Sequence, residues 1–212
     1  MKFDVFHLRM FAFVSMFVDH AAFLFLLPSS FFYVLCRSFG RVAFPLFFFL
    51  SLEGVYHTKN IRAYIFRLAV LAFVSQPFYT LFFQADNLNV VFQLLNCVFF
   101  AAFLRDFKGG VDWLYLPMFL PLSGFSDYGI YPLLFVALYV AYRRQKLDNI
   151  RFMIIWVLLC AAYTIDLFCS AAFSAVLIAF YTGDSGRNIH KWISYSFYPV
   201  HMILLMIVRC IL

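Results

Sequence analysis

This chain carries little charge. Only 12% of its 212 residues are Asp, Glu, Lys or Arg, against 66% hydrophobic and 23% aromatic, with 32 phenylalanines. A soluble domain of this length has no interior large enough to hide so much apolar surface. Strict alternation of apolar and polar positions is also missing, which excludes a β-barrel. There is no soluble linker, low-complexity tail or clear internal repeat, so residues 1–212 read as one integral-membrane domain. Cysteine pairing is absent too: Cys36, Cys97, Cys160, Cys169 and Cys210 show no CxxC spacing and fall mostly in apolar runs. They read as inert thiols, with no disulfide framework and no metal site. The first apolar run lacks a small-residue cleavage site and several runs follow it, so it is expected to be retained rather than removed as a signal peptide.

What is present is a series of apolar runs separated by short charged loops. That pattern predicts an all-α polytopic helical membrane bundle of about nine spans, near 8–27, 41–56, 62–83, 88–104, 111–123, 128–142, 151–165, 168–182 and 193–211. The fifth and eighth are shorter than the roughly 20 residues that a membrane-normal helix needs. The fifth also carries Pro117 and Pro121, so a broken or re-entrant segment is an alternative there. The net charge of +6 is not a nucleic-acid footprint, because the basic residues sit singly or in small groups between spans, where they set topology. With the N-terminus inside, the cytoplasmic side receives Lys2, Arg9, Lys59, Arg62, Arg67, Arg105, Lys108, Arg143, Arg144, Lys146, Arg151, Arg187 and Lys191. The outside receives only Arg37, Arg41 and Arg209. This asymmetry predicts N-terminus in, C-terminus out, and it requires the weak fifth span to cross.

Against so apolar a background, the few ionisable groups stand out. Asp19-His20 lies inside the first span, where ionisable side chains are costly and usually mark a site. At 1.5 Å per residue, His20 is about 18 Å into a core of roughly 30 Å, and His201 is about 13 Å into the last span. The two can therefore share a level on different helices. Arg9 lies within about 20° of the His20 face, roughly 16 Å nearer the cytoplasm. It reads either as the mouth of a channel for a long anionic ligand or as a snorkelling anchor. Arg41 opens the second span beside Phe39, Phe44 and Pro45 and is a candidate partner for Asp19. Asn89, Asp127, Tyr128 and Asp166 fall in the outer half, as site groups or as loop and cap residues. Glu53 lies near the inner end of the second span. Gln76-Pro77 interrupts the third; the freed carbonyl either serves a buried site or accompanies a packing kink.

In this order the residues resemble the TraX family, the bacterial F-pilin acetylation proteins and their relatives. The resemblance is carried by Val18-Asp19-His20, then Gly40-Arg41-Val42-Ala43-Phe44-Pro45-Leu46-Phe47 and Glu53-Gly54-Val55-Tyr56-His57-Thr58-Lys59-Asn60. It continues with Tyr64, Arg67-Leu68, Ser75-Gln76-Pro77-Phe78, Leu88-Asn89-Val90-Val91-Phe92, Asp127-Tyr128-Gly129-Ile130 and Phe197-Tyr198-Pro199-Val200-His201. Gln93 departs from the small hydroxyl residue expected after Asn-x-x-Phe, and the region from Arg143 to the last span matches only in hydrophobicity. A weaker likeness is to the broader transmembrane acyltransferase group, whose first helix carries an Arg and a His separated by ten residues, as Arg9 and His20 are.

The resemblance implies a multi-pass acetyltransferase of the bacterial inner membrane. It would take acetyl-coenzyme A from the cytoplasm and acetylate a pilin N-terminus or a surface glycan. On that reading His20 is the general base, with Asp19, Arg41, His201 and Tyr198 completing the catalytic group. Arg9, Lys59, Arg62 and Arg67 hold the coenzyme, and Asn89, Asp127 and Tyr128 contact the acceptor. The rival reading from the residues alone is a small-solute or proton transporter with a mid-membrane Asp/His/Arg site; a non-catalytic membrane scaffold is a third.

Overall fold

The computed structural model describes residues 2–126, 128–163, 170–184, 186, 187 and 190–212. Among these the regular structure is helical, with two isolated bridges, Phe3 to Tyr181 and Leu88 to Ser126. Four helical runs are long and apolar enough to cross a membrane: Val5–Phe25, Phe31–His57, Ile61–Phe83 and Trp192–Ile211. The expected count of nine is thereby corrected. Three other expected spans are shorter helices, α5 (Val90–Asp106), α7 (Tyr131–Arg143) and α8 (Asn149–Tyr163). The fifth is a 3-10 helix, Gly110–Phe119, followed by α6 (Leu120–Gly124), and the eighth is a 3-10 turn, Ser170–Ala172, leading into α9 (Phe173–Ala179). Proline accounts for part of this fragmentation: it lacks the amide proton and clashes with the preceding turn, and here Pro117 lies within the 3-10 helix while α6 and α7 each carry a proline as their second residue.

The second span is also longer than expected. It begins at α2 (Phe31–Gly40), passes a turn at Arg41-Val42 and continues as α3 (Ala43–His57). Ser30 starts α2 by accepting the Tyr33 amide at 3.1 Å, the usual way a short polar side chain satisfies a first-turn donor. Arg37 and Arg41, expected at the outer edge, thus lie inside a run of 27 residues. The third span is not interrupted either, since α4 (Ile61–Phe83) runs through Pro77. Side-chain amides pack around that turn: Asn89 donates to the Ala72 carbonyl and to Gln76 Oε1, each at 2.8 Å.

The chain forms two compact units, residues 1–50 with 153–212, and residues 51–152. In the first, α1 (Val5–Phe25) packs against α2 and against α10 (Lys191–Ile211). Contacts between α1 and α10 rise together in number: Arg9 with Ser194 at 3.3 Å, Phe13 stacked on Phe197 at 4.2 Å, His20 with His201 at 2.7 Å. The two helices are therefore parallel. Against α2, α1 is antiparallel and close. Ser15 Oγ donates to the Phe39 carbonyl at 2.7 Å, and a Cβ at Gly40 would overlap the Asp19 side chain, its Cβ included. Small residues let helices approach this nearly. Gly40→Ala is expected to destabilise the protein by about 1–3 kcal/mol through overpacking, read as a lowered Tm in detergent; an unchanged Tm would contradict so close a crossing.

In the second unit the C-terminal ends of α3, α5 and α7 meet. Arg105 donates to the Val55 carbonyl at 3.2 Å, and Arg144 to the Leu104 carbonyl at 2.6 Å. At the far end of α5, Leu88 N–H donates to the Phe125 carbonyl at 3.0 Å. The 3-10 segment and α6 therefore travel back along α5, with Phe103 against Tyr115 and Phe119 and Asn96 donating to the Phe119 carbonyl at 2.9 Å. A 3-10 helix rises about 2 Å per residue against 1.5 Å for an α-helix, so a proline-bearing segment short of residues still matches the length of its neighbour.

Candidate functional site

His20 and His201 come together in the interior of the first unit, both buried. His201 Nδ1 lies 2.7 Å from the Phe197 carbonyl, one helical turn earlier on α10. A carbonyl only accepts, so Nδ1 of His201 carries the proton, and in the neutral ring Nε2 holds the lone pair. That lone pair faces His20 Nδ1 at 2.7 Å. His20 Nδ1 must therefore donate, which leaves Nε2 as the basic nitrogen of His20. The bond direction runs from His20 through His201 to a backbone carbonyl, the same logic by which a second group fixes the tautomer of a catalytic histidine. His20 and His201 lie side by side in nearly one plane, centroids 4.8 Å apart, and His201 packs near-parallel to Phe197 at 5.0 Å and Phe197 to Phe13 at 4.2 Å. Tyr198 is buried beside His201, ring centroids 5.9 Å apart.

Asp19 points away from its neighbour and toward α2. Its Oδ2 pairs with Arg37 at 2.6 Å, and the Arg41 charge also acts on it. Arg37 thus joins Arg41 in acting on this carboxylate, because α2 begins before the basic residues and turns Arg37 inward against α1. Asp19 Oδ1 is buried with no hydrogen bond among the described residues. Phe23 and Tyr33 lie under the Arg37 guanidinium at 5.6 and 5.9 Å, a favourable setting for its positive charge. Arg9 sits a few turns before His20 on α1 and donates to Ser194 at 3.3 Å.

The remaining expected site residues belong to the second unit. Asn89 is fully buried as the N-cap of α5, where its side chain also accepts the Val91 amide at 2.9 Å. Its two amide hydrogens serve Ala72 and Gln76. Lys59 and Arg62 are exposed at the start of α4, Arg67 is half-buried, and Tyr128 is half-buried before α7. Asp127 and Asp166 lie outside the described residues. A polar group that sequence reasoning left without a role surrounds buried Glu53: the Tyr139 hydroxyl donates to it, with His57 at 3.5 Å and Arg143 at 3.8 Å. Its signal was available in the lone carboxylate of an apolar helix. Among the described residues no group of three or more His, Cys, Asp or Glu is placed to hold a metal ion.

The family model described as "TraX protein" matches residues 6–209. The "Probable fimbrial assembly protein FimC, serogroup H1" of Dichelobacter nodosus is 29% identical, over 96% of this chain and 94% of its own length. No solved structure matches.

Proposed function

This chain belongs to the TraX family and is a membrane-embedded acyltransferase, and from that premise we propose that it transfers acetyl groups from cytoplasmic acetyl-coenzyme A to an acceptor at the membrane or its outer side. The acceptor is a pilin N-terminus or a surface glycan; the fimbrial assembly named in the Dichelobacter nodosus relative favours a fimbrial subunit. The whole chain acts as one catalytic domain in the bacterial inner membrane. By the distribution of basic residues, the N-terminus and the loops that carry Arg105, Lys108, Arg143 and Arg144 are expected on the cytoplasmic side.

The observation that carries this reading is the directed bond from His20 to His201. Nε2 of His20 takes the proton from the acceptor amine or hydroxyl as that nitrogen or oxygen attacks the thioester carbonyl. The tetrahedral intermediate then collapses, the carbon–sulfur bond breaks, and the proton passes from His20 to the departing thiolate. His201 positions His20, Arg41 steadies the oxyanion, and Tyr198 borders the acceptor. Asp19, held by Arg37, braces α1 against α2 and keeps His20 and Arg41 in place. Arg9 in the first unit and Lys59, Arg62 and Arg67 in the second each add long-range positive charge that favours the approach of the anionic coenzyme.

Purified protein in detergent is expected to release thiol from acetyl-coenzyme A when given a peptide with a free N-terminus or a glycan acceptor. Failure of well-folded protein to bind acetyl-coenzyme A would sink the reading. Label retained from radioactive acetyl-coenzyme A without acceptor would replace direct transfer by an acyl-enzyme route.

A further inference from the structure

We propose that Arg105, Arg143 and Arg144, gathered around Tyr56 where α3, α5 and α7 end, form a binding site for phosphate esters whose occupant is the nucleotide end of coenzyme A. The proposal rests on the acetyltransferase reading and names a group of residues that the sequence motifs did not single out. All of them lie within the second unit.

The way these arginines are held distinguishes them from ordinary loop charges. Arg143 lies over the Tyr56 ring at 4.8 Å, drawn inward by buried Glu53 at 3.8 Å. Arg144 is fixed by two carbonyls, Leu104 at 2.6 Å and Arg105 at 3.3 Å. Arg105 is fixed by the Val55 carbonyl at 3.2 Å and by Asp106, which it meets through Nε and Nη2, each at 3.2 Å. All three positive charges act on the Tyr56 hydroxyl. Carbonyls and an aromatic face orient a guanidinium without cancelling its charge, so three cations stand near two carboxylates. Arg143 and Arg105 are each about one-third exposed, 35% and 32%, and so remain reachable. Planar guanidinium forks set in advance suit the paired oxygens of a phosphate. Lysine, a point charge on a flexible stem, would serve equally well if these residues only fixed topology.

The test uses the full chain in detergent and in nanodiscs. Adenosine 3′,5′-bisphosphate is expected to compete with coenzyme A, and dephospho-coenzyme A to bind more weakly. Arg143→Gln, alone or with Arg144→Gln, is expected to weaken binding about 10- to 100-fold, the loss of one or two charge-assisted hydrogen bonds, whereas Arg143→Lys recovers part of it. Because Arg144 also secures the end of α5, the wild type supplies a second readout. Coenzyme A is expected to shield Arg105, Arg143 and Arg144 from phenylglyoxal while leaving exposed Arg151 reactive. Wild-type binding of coenzyme A with undiminished affinity in the variants, or with no shielding, overturns this site and leaves the acetyltransferase reading intact. No binding of coenzyme A by the wild type overturns both. Shielding by phosphatidylglycerol in nanodiscs, but not by coenzyme A, overturns the nucleotide assignment in favour of a lipid headgroup.

Discussion

His20→Ala is expected to lower acetyl transfer by about 10²- to 10⁴-fold, the usual contribution of a positioned general base, while coenzyme A binding changes little. Thiol release under saturating acetyl-coenzyme A measures the first and equilibrium binding the second. The split follows from the geometry. His20 lies several turns beyond Arg9 on α1, so removing the imidazole leaves Arg9 in place. The substitution does leave the His201 acceptor buried without its donor, at a cost of about 1–3 kcal/mol, so the Tm should fall modestly. His201→Phe keeps the ring stack but removes both the acceptor for His20 and the link to the Phe197 carbonyl. Its loss in kcat should be smaller, about 10- to 100-fold, and accompanied by a displaced pH–rate profile, since the tautomer of His20 is no longer fixed. Full turnover in His20→Ala would remove this residue as the base. An unmoved profile in His201→Phe would reduce His201 to packing.

Arg37→Leu is expected to be the most destabilising change in the first unit, by about 3 kcal/mol. It strips a largely buried carboxylate of its 2.6 Å partner while Asp19 remains where it is. Much of that loss belongs to the abandoned charge rather than to the pair. The double change Asp19→Asn with Arg37→Gln should therefore recover part of it, with a coupling of about 1–3 kcal/mol between the sites. Arg41→Leu should cost less than Arg37→Leu. Thermal melts of the wild type, Asp19→Asn, Arg37→Gln and the double variant decide the matter, and strictly additive effects would show that the two side chains do not interact.

Arg37 lies inside a helix although the residues before it resemble a loop. Charge counting assigns every basic residue between apolar runs to a loop, and Pro28-Ser29-Ser30 looks like the loop continuing. Yet Ser30 before Phe31-Phe32-Tyr33 is an N-cap followed by apolar residues, and a helix starting there carries Arg37 inward. Proline misled in the opposite direction. Pro77 suggested a broken span, but Gln76 and Asn89 lend side-chain amides to that turn, and such compensation depends on a residue from the next helix. Composition, by contrast, sufficed for the all-α class, and the cost of charge in hydrocarbon pointed to Asp19-His20, whose side chains meet α2 and α10. The bond from His20 to His201 was beyond reach, because matching depths do not say which helices are neighbours. Glu53 was visible as a lone carboxylate with His57 one turn on, but Tyr139 and Arg143 reach it from α7, a distant segment of the chain.

The pairing of the first and last long helices bears on how the protein is made. His20 and His201 are 181 residues apart, so at ~5–20 residues per second the ribosome needs about 9–36 s to supply the second after the first. During that interval α1 is already in the membrane with Asp19 soon matched by Arg37, while His20 waits for a helix not yet synthesised. The structural half of the Asp19-His20 pair is completed early and the chemical half last. With His20 as the proposed base, catalytic competence is expected to be a late event of biogenesis, reached only when α10 has joined α1.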